Sequence, residues 1–441
     1  MADIPRRAAQ RTAKLAGLPL GVAGRLAAGW GRRLTGQDAA EVNSSISTRT
    51  AEQIFAVLGE LKGGAMKFGQ ALSVFEAAVP EEMSEPYREA LTKLQSAAPP
   101  MSSESVHRVL DAQLGTAWRD RFREFDETPA ASASIGQVHR AVYHDGREVA
   151  VKVQYPGADE ALRSDLRQLM RFSRLFQSLA PGAEIKPLLQ ELQDRMVEEL
   201  DYRIEADNQR VFAKEFSGDP EVVVPRVVAS APKVAVTEWI TGTPFSQIIA
   251  EGTREQRDLA GRLLAEFHYS TPARIGMLHA DPHPGNFMLL PGGRLGVIDF
   301  GAVSRLPDGL PETFGTMIRL ALEDRPVELL ELMRAERFIR PEQDVRAEDV
   351  LTFLAPFVDP ARAERFHFTR SWLQCQAERV GDLRSPDFRT SRSLNLPPDY
   401  LLIHRVTMGA IGILCQLDAE LDARSIITAY QPGFQDQRPT A

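Results

Sequence analysis

Cysteine is nearly absent from this 441-residue chain. It has two, Cys375 and Cys415, too few for a disulfide framework or a cysteine-rich zinc site, and a reducing, cytosolic compartment fits that usage. An excess of basic charge is missing as well. The chain has 52 Lys and Arg against 60 Asp and Glu, a formal net charge of −8, which argues against nucleic-acid binding by overall positive charge. No run of 18 or more apolar residues occurs, so no membrane-spanning helix is expected. The basic N-terminus lacks the continuous apolar segment and cleavage site of a signal peptide. Internal repeats and low-complexity tracts are absent. What is present, 43% hydrophobic and 25% charged residues, is the composition of a globular protein, and the length corresponds to about three domains.

Charge is unevenly spread. Residues 1–35 carry Arg6, Arg7, Arg11, Lys14, Arg25, Arg32 and Arg33 against one acid, Asp3; this segment is +6 and the rest of the chain −14. With Leu15, Leu18, Leu20, Val22, Leu26 and Trp30 it suits an anionic membrane surface. Gly17, Pro19, Gly21 and Gly24 weaken a helix there, and a solvated terminal arm is the alternative reading.

Over residues 46–78, apolar side chains recur at Ile54, Leu58, Leu61, Ala65, Phe68, Leu72 and Phe75. These alternating steps of four and three predict one long amphipathic helix. Gly63, Lys67 and Gln70 fall on its opposite face at about 100° per residue. Residues 97–103 read as a loop ending in a helix cap, with Val106, Leu110 and Leu114 on the helix that follows. The pattern then becomes Val-rich alternation with a hairpin turn at His144-Asp145-Gly146. Helical spacing returns at Leu189, Leu192, Met196, Leu200 and Ile204. VVVPRVVAS and VAVTEWITG read as two strands. Beyond residue 244 the chain is mostly helical, interrupted by loops and short strands near 277–305.

The chemistry concentrates in LHADPHPGNFMLLPGGRLGVIDFGA. Asp281 is followed by Asn286 and, after a short hairpin, by Asp299-Phe300-Gly301. An acid for a substrate hydroxyl, then an amide and a second acid for a metal, is the phosphoryl-transfer order of protein kinases. Hard oxygen ligands hold Mg²⁺ against a triphosphate. Asn286 and Asp299 are therefore the candidate metal ligands, and Asp281 the candidate that orients the acceptor oxygen or a water. His279 and His283 do not read as a zinc pair, because Pro282 and Pro284 break the helix such a pair would use; His279 stands where the catalytic-loop histidine belongs. Lys152, in a strand of alternating valines, is the candidate partner of the α- and β-phosphates and of a helix acid. Glu199 is the first candidate for that acid, with Glu198 and Glu205 as alternatives. The glycine-rich loop expected before this lysine is missing. Ala130, Ala131, Ser132, Ala133, Ser134, Ile135 and Gly136 stand in its place; small residues still admit phosphates, but alanine restricts φ more than glycine does. No Ala-Pro-Glu follows Gly301.

Together, KFGQ at 67–70, AASASIGQVHRA at 130–141, VAVKVQYPG, EELDYRIEADN, HADPHPGN and VIDFGA resemble the UbiB/AarF family of atypical kinases, over about residues 45–435. The resemblance implies an α+β, bilobal protein-kinase-like fold, with an N-terminal helical extension over the nucleotide site and a large helical C-lobe. The divisions it suggests are a basic segment at 1–45, the KFGQ-bearing extension at 46–126, the N-lobe at 127–243 and the C-lobe at 244–441. It implies that Lys67, Gly69 and Gln70 face the active site. It also implies that Lys152, Glu199, Asp281, Asn286 and Asp299 are the strand lysine, helix acid, catalytic-loop acid and metal ligands. The long gap from Lys152 to Glu199 fits an inserted helix, DEALRSDLRQLMRFSRLF. Residues 130–134 and Gly136 match the family's alanine-rich loop, with Ser132 where alanine is more usual; Glu238 and Ile240 complete the candidate nucleotide-binding set.

The cofactors implied are ATP and Mg²⁺. Family members support isoprenoid-quinone biosynthesis or membrane lipid homeostasis and behave more like ATPases than protein kinases. The partners implied are an anionic membrane surface and quinone or lipid precursors, with no nucleic acid and homo-oligomerisation left open. The location implied is cytoplasmic, peripheral at the inner face of the membrane. A small-molecule phosphotransferase is the second reading; antibiotic and sugar kinases share the Asp–Asn–Asp order but lack the KFGQ helix. A nucleotide-gated scaffold with little turnover is the third.

Overall fold

The computed structural model describes residues 101–133, 135–160, 200–381 and 384–435. The basic segment, the helix expected at 46–78 with Lys67, Gly69 and Gln70, the inserted helix beyond Glu160, Glu198, Glu199 and Ser134 lie outside the described residues. The described chain forms two compact units: one runs to Arg203 and includes 229–236, the other holds 204–228 and continues from 237.

The first unit opens with α1 (Ser103–Leu114). The Ser102 hydroxyl accepts from the Ser105 amide and caps it, while Val106, Val109 and Leu110 are its buried face. Then come β1 (Phe122–Phe125), β2 (Ala131–Ala133), β3 (Gly136–Tyr143) and β4 (Glu148–Gln154). β3 and β4 make the expected antiparallel hairpin, from Gly136 opposite Gln154 to Val142 opposite Glu148. Gly146 takes φ 93° at its turn, where a glycine pays no Cβ penalty. Val149, Val151 and Val153 alternate into the core, each fully buried, as the two-residue period of a strand requires. Gln137 and His139 of the AASASIGQVHRA stretch are buried in a relay: Met101 N donates to Gln137 Oε1 (2.8 Å), the Gln137 amide to His139 Nε2 (2.8 Å), and His139 Nδ1 to the Asp126 carbonyl (2.8 Å). Next in the chain are α2 (Tyr202–Glu215) and β5 (Val222–Val223). β6 (Val227–Ala231) and β7 (Val234–Glu238) complete a sheet ordered β1-β3-β4-β7-β6, with β2 on β3.

In the second unit, β8 (Thr243–Pro244), α3 (Phe245–Glu251) and α4 (Arg254–Ile275) lead to β9 (Met277–His279), β10 (Phe287–Leu290), β11 (Arg294–Val297) and β12 (Val303–Arg305). α5 (Glu312–Leu322), α6 (Pro326–Ala335), α7 (Ala347–Arg362), β13 (Phe366–His367), α8 (Arg370–Gly381), α9 (Pro386–Ser393), α10 (Pro398–Leu417), β14 (Glu420–Leu421) and α11 (Ala423–Tyr430) follow. α4 starts in a capping box of Thr253 and Gln256 and ends at Gly276 in the left-handed region. Its Leu263, Leu264 and Phe267 pack with Phe212 and Phe216 of α2, Phe287, Val297, Phe300, and Ile413, Leu414 and Leu417 of α10. The chain passes so closely that a Cβ on Gly261 would stand 2.5 Å from that of Ala419.

Two expectations need correction. VVVPRVVAS is two strands: β5 pairs in parallel with β11, and β6 belongs to the other sheet. Pro225 lies between them and offers no N–H to a continuous ladder. The spacing through Leu200 and Ile204 does not mark one buried helical face. The Asp201 carboxylate accepts from the Arg203 amide (3.0 Å) at the start of α2; Leu200 lies before the helix and Ile204 is 40% exposed. Asp399–Leu417, the one helix among the described residues with the length and composition to cross a bilayer, is largely buried within the protein. Ile403, Val406, Ile413, Leu414 and Leu417 of this helix are core residues.

Candidate active site

In the second unit, the β9–β12 pair brings two loops side by side. His279 faces Val303 across the ladder, and the Ala280 amide donates to the Ala302 carbonyl (2.9 Å). A single 3-10 turn, Pro284–Asn286, carries Asn286 to the start of β10. There the Ile298 amide donates to the Asn286 carbonyl (2.9 Å), so the segment before Asp299 is tied to the segment after Asp281. The Pro-Gly-Gly turn between β10 and β11 uses Gly292 at φ 84° and Gly293 at φ 77°.

The side chains are locked to match. Asn286 Nδ2 donates to both the carboxylate and the carbonyl of Asp281, 3.1 Å each. That commits the nitrogen end of a 6%-exposed amide and fixes its oxygen as the end offered to a cation. Asp299 sits at φ 70°, a left-handed conformation that Asp tolerates better than most residues. Its Oδ1 accepts from the Gly301 amide (3.0 Å), and its carbonyl accepts from His279 Nε2 (2.7 Å). The His279 ring is boxed by Phe267, Phe287 and Phe300, centroids 5.4–6.1 Å away. His283 Nδ1 instead accepts from the Gly285 amide (3.1 Å). The two histidines thus serve separate loop contacts, and no cluster of three or more His, Cys, Asp or Glu with metal-holding geometry occurs among the described residues. An amide oxygen and a half-buried carboxylate are hard donors, a set that fits Mg²⁺ completed by phosphate oxygens and water.

In the first unit, Lys152 lies on the face of β4 opposite the buried valines, half-buried, across from Val138. Its Nζ is 5.0 Å from the centre of the Tyr202 ring. The alanine-rich stretch is a tight hairpin: Ala131 pairs with Val138 and Ala133 with Gly136, leaving Ala131 and Ser132 exposed. A Cβ on Gly136 would stand 2.3 Å from the Val153 carbonyl oxygen and 2.8 Å from the Tyr202 hydroxyl. The sequence pattern singled out Gly136 and Lys152 but not Tyr202, whose place beside them is set by pairing distant in the chain.

The remaining candidates are placed less tellingly. Glu238 spends its carboxylate on Arg226, accepting from its backbone amide (3.1 Å) and from Nε (2.9 Å). Ile240 is half-buried over Gly296. Ala130 bonds through its amide to the Val138 carbonyl (2.8 Å). Glu205, an alternative helix acid, is buried on α2.

The profile of the ABC1 atypical kinase-like domain matches residues 93–325. The chain belongs to this family. Expectation of the UbiB/AarF type and of a kinase-like α+β fold is thereby borne out. An uncharacterised protein of Synechocystis is 34% identical over 303 residues, covering 67% of this ABC1 protein and 52% of that one. Atypical kinase COQ8B, mitochondrial, of Danio rerio is 27% identical over 459 residues, covering 99% of this chain and 71% of its own. Among solved structures, Rv3197 of Mycobacterium tuberculosis, in complex with erythromycin, is 51% identical, with a TM-score of 0.71 over 90% of this chain and all of that one.

Proposed function

We propose that this ABC1 protein is a Mg²⁺-dependent ATP-binding atypical kinase/ATPase of the UbiB type. The observation that carries the reading is the hydrogen-bonded set of Asp281, Asn286, Asp299 and His279 in the second unit. Asn286 and Asp299 would hold the metal. The metal would supply neutralisation of the negative charge on the phosphates. Asp281, steadied by the Asn286 amide, orients the acceptor oxygen and takes up its proton. His279 fixes the Asp299 backbone so that its carboxylate needs no reorganisation. Lys152 is assigned to the α- and β-phosphates and the 130–136 hairpin to the nucleotide, and Glu238 and Ile240 are likewise assigned to nucleotide binding. Glu199 is assigned to Lys152, and Lys67 and Gln70 to the cover over the γ-phosphate.

Support of isoprenoid-quinone biosynthesis or membrane lipid homeostasis at an anionic membrane surface is the assigned role. The +6 N-terminal segment is the membrane contact and the cytoplasmic face the location. A second reading, transfer to a small molecule, is favoured by the erythromycin complex of the 51%-identical neighbour. The two separate in one experiment: ATP turnover with γ-labelled nucleotide, with and without anionic liposomes, quinone-precursor mimics and erythromycin. Phosphate release stimulated by liposomes supports the first, and a labelled small molecule the second. Absence of Mg²⁺-dependent turnover and of nucleotide binding defeats both.

A further inference from the structure

We propose that Tyr202 is the positioning residue of the phosphate-binding lysine: its ring seats the Lys152 ammonium while its hydroxyl abuts the start of β3 at Gly136. The assignment of Lys152 to phosphate rests on the nucleotide reading above; the seat itself rests on geometry alone.

Tyr202 is 2% exposed and packs with Ile135 and Ala235. Its backbone is pinned at two points. The Tyr202 amide donates to the Pro232 carbonyl (3.0 Å), and two residues earlier the Leu200 carbonyl accepts from Gln154 Nε2 (3.1 Å), itself on β4. The ring therefore cannot drift relative to the strand that carries Lys152. An ammonium within about 6 Å of an aromatic centroid is attracted by the negative face of the ring, and at 5.0 Å Lys152 meets that condition. A lysine ammonium is a strongly hydrated point charge on a flexible stem. A fixed ring face in place of part of its water aims it. The other end of the same side chain reaches Gly136, where no Cβ would fit. One buried residue thus seats the lysine with its ring and stands against the base of the alanine-rich hairpin with its hydroxyl.

The test uses the full chain and the variants Tyr202→Phe and Tyr202→Met, each checked for folding by its melting transition. The first readout needs no nucleotide. Acylation of Lys152 by an N-hydroxysuccinimide ester at pH 8 is followed by peptide mass spectrometry. The second is KM against kcat for Mg²⁺–ATP. Removing the ring takes away that seat, so Tyr202→Met is expected to acylate Lys152 about 3–10-fold faster and to raise KM by a similar factor, with kcat within about twofold. Tyr202→Phe keeps the ring and should match wild type in both. Equal acylation in wild type and folded Tyr202→Met overturns the proposal, as does a Tyr202→Phe change as large as that of Tyr202→Met. If Tyr202→Met does not fold, Tyr202→Phe and Tyr202→Trp, which retain a ring, must keep the wild-type acylation rate, and a several-fold change in either overturns it. If wild type binds no Mg²⁺–ATP, the nucleotide reading fails while the acylation comparison still judges the seat.

Discussion

Gly136→Ala isolates the link between the alanine-rich hairpin and the lysine strand. Gly136 begins β3 opposite Gln154, and a methyl group there would meet the Val153 carbonyl oxygen at 2.3 Å, the Tyr202 hydroxyl at 2.8 Å and the Val153 carbonyl carbon at 3.0 Å. Two of those three atoms are backbone, so the clash cannot be relieved by a side-chain rotation. β4 must move, and Lys152 directly precedes Val153 in that strand. Overpacking of this kind costs about 1–3 kcal/mol, and each kcal/mol lowers the melting temperature by about 2–4 °C in domains of 150–250 residues. A drop of several degrees is expected, together with at least about a fivefold rise in KM for ATP, since near 25 °C about 1.4 kcal/mol is a factor of ten. Gly146→Ala is the control. Gly146 stands at φ 93°, so alanine there costs about 1–2 kcal/mol of backbone strain, but the nearest atom to its Cβ is Arg123 Nη1 at 3.5 Å. That variant should lose comparable stability with KM unchanged. Thermal melts and steady-state ATPase assays on both variants decide it. A wild-type melting temperature for Gly136→Ala, or equal KM values for the two variants, refutes the reasoning.

Three further outcomes are expected. Asp299→Ala should be less stable than Asp299→Asn by about 2–3 kcal/mol in denaturant titrations, because it loses the bond from the Gly301 amide and places alanine at φ 70°, where Asn is tolerated. Burial, aided by nearby His279, holds the His268 pKa down at about 4 against an ordinary 6.5. Between those values only the unfolded chain takes up the proton, so stability is fully present above pH 6.5 and falls with acidification, by up to about 1.4 kcal/mol per pH unit. His268→Gln should flatten the melting-temperature profile between pH 4.5 and 6.5, leaving the same-signed contribution of buried His139; an unchanged slope contradicts this. Deleting residues 1–35, which carry +6, should weaken co-sedimentation with anionic liposomes in a salt-dependent way, and equal co-sedimentation counts against membrane docking.

Local signals were the legible part of the fold. The Asp-Gly turn and the alternating valines before Lys152 act over a few residues and appear as read, while the helix cap falls on Ser102, one residue before the end of the loop read at 97–103. The Asp281–Asn286–Asp299 order was legible because its chemistry demands those residue types in sequence. What escaped was set by partners distant in the chain. Pro225 divides a valine run whose halves pair with different sheets, which periodicity does not register. The apolar step to Ile204 imitated a buried face that belongs instead to Tyr202, Ala206 and Phe212. The Tyr202–Lys152 contact joins residues fifty apart, and nothing in the local pattern of either announces it.

Everything proposed for the site requires Asn286 and Asp299 to grip a magnesium-loaded nucleotide. Isothermal titration of the full chain with ATP, with and without Mg²⁺, for wild type and Asp299→Asn tests it most directly. Mg²⁺-dependent binding in wild type is expected to fall by at least about tenfold in Asp299→Asn, while the melting temperature of the free protein stays near wild type. Mg²⁺–ATP affinity unchanged by that substitution contradicts it.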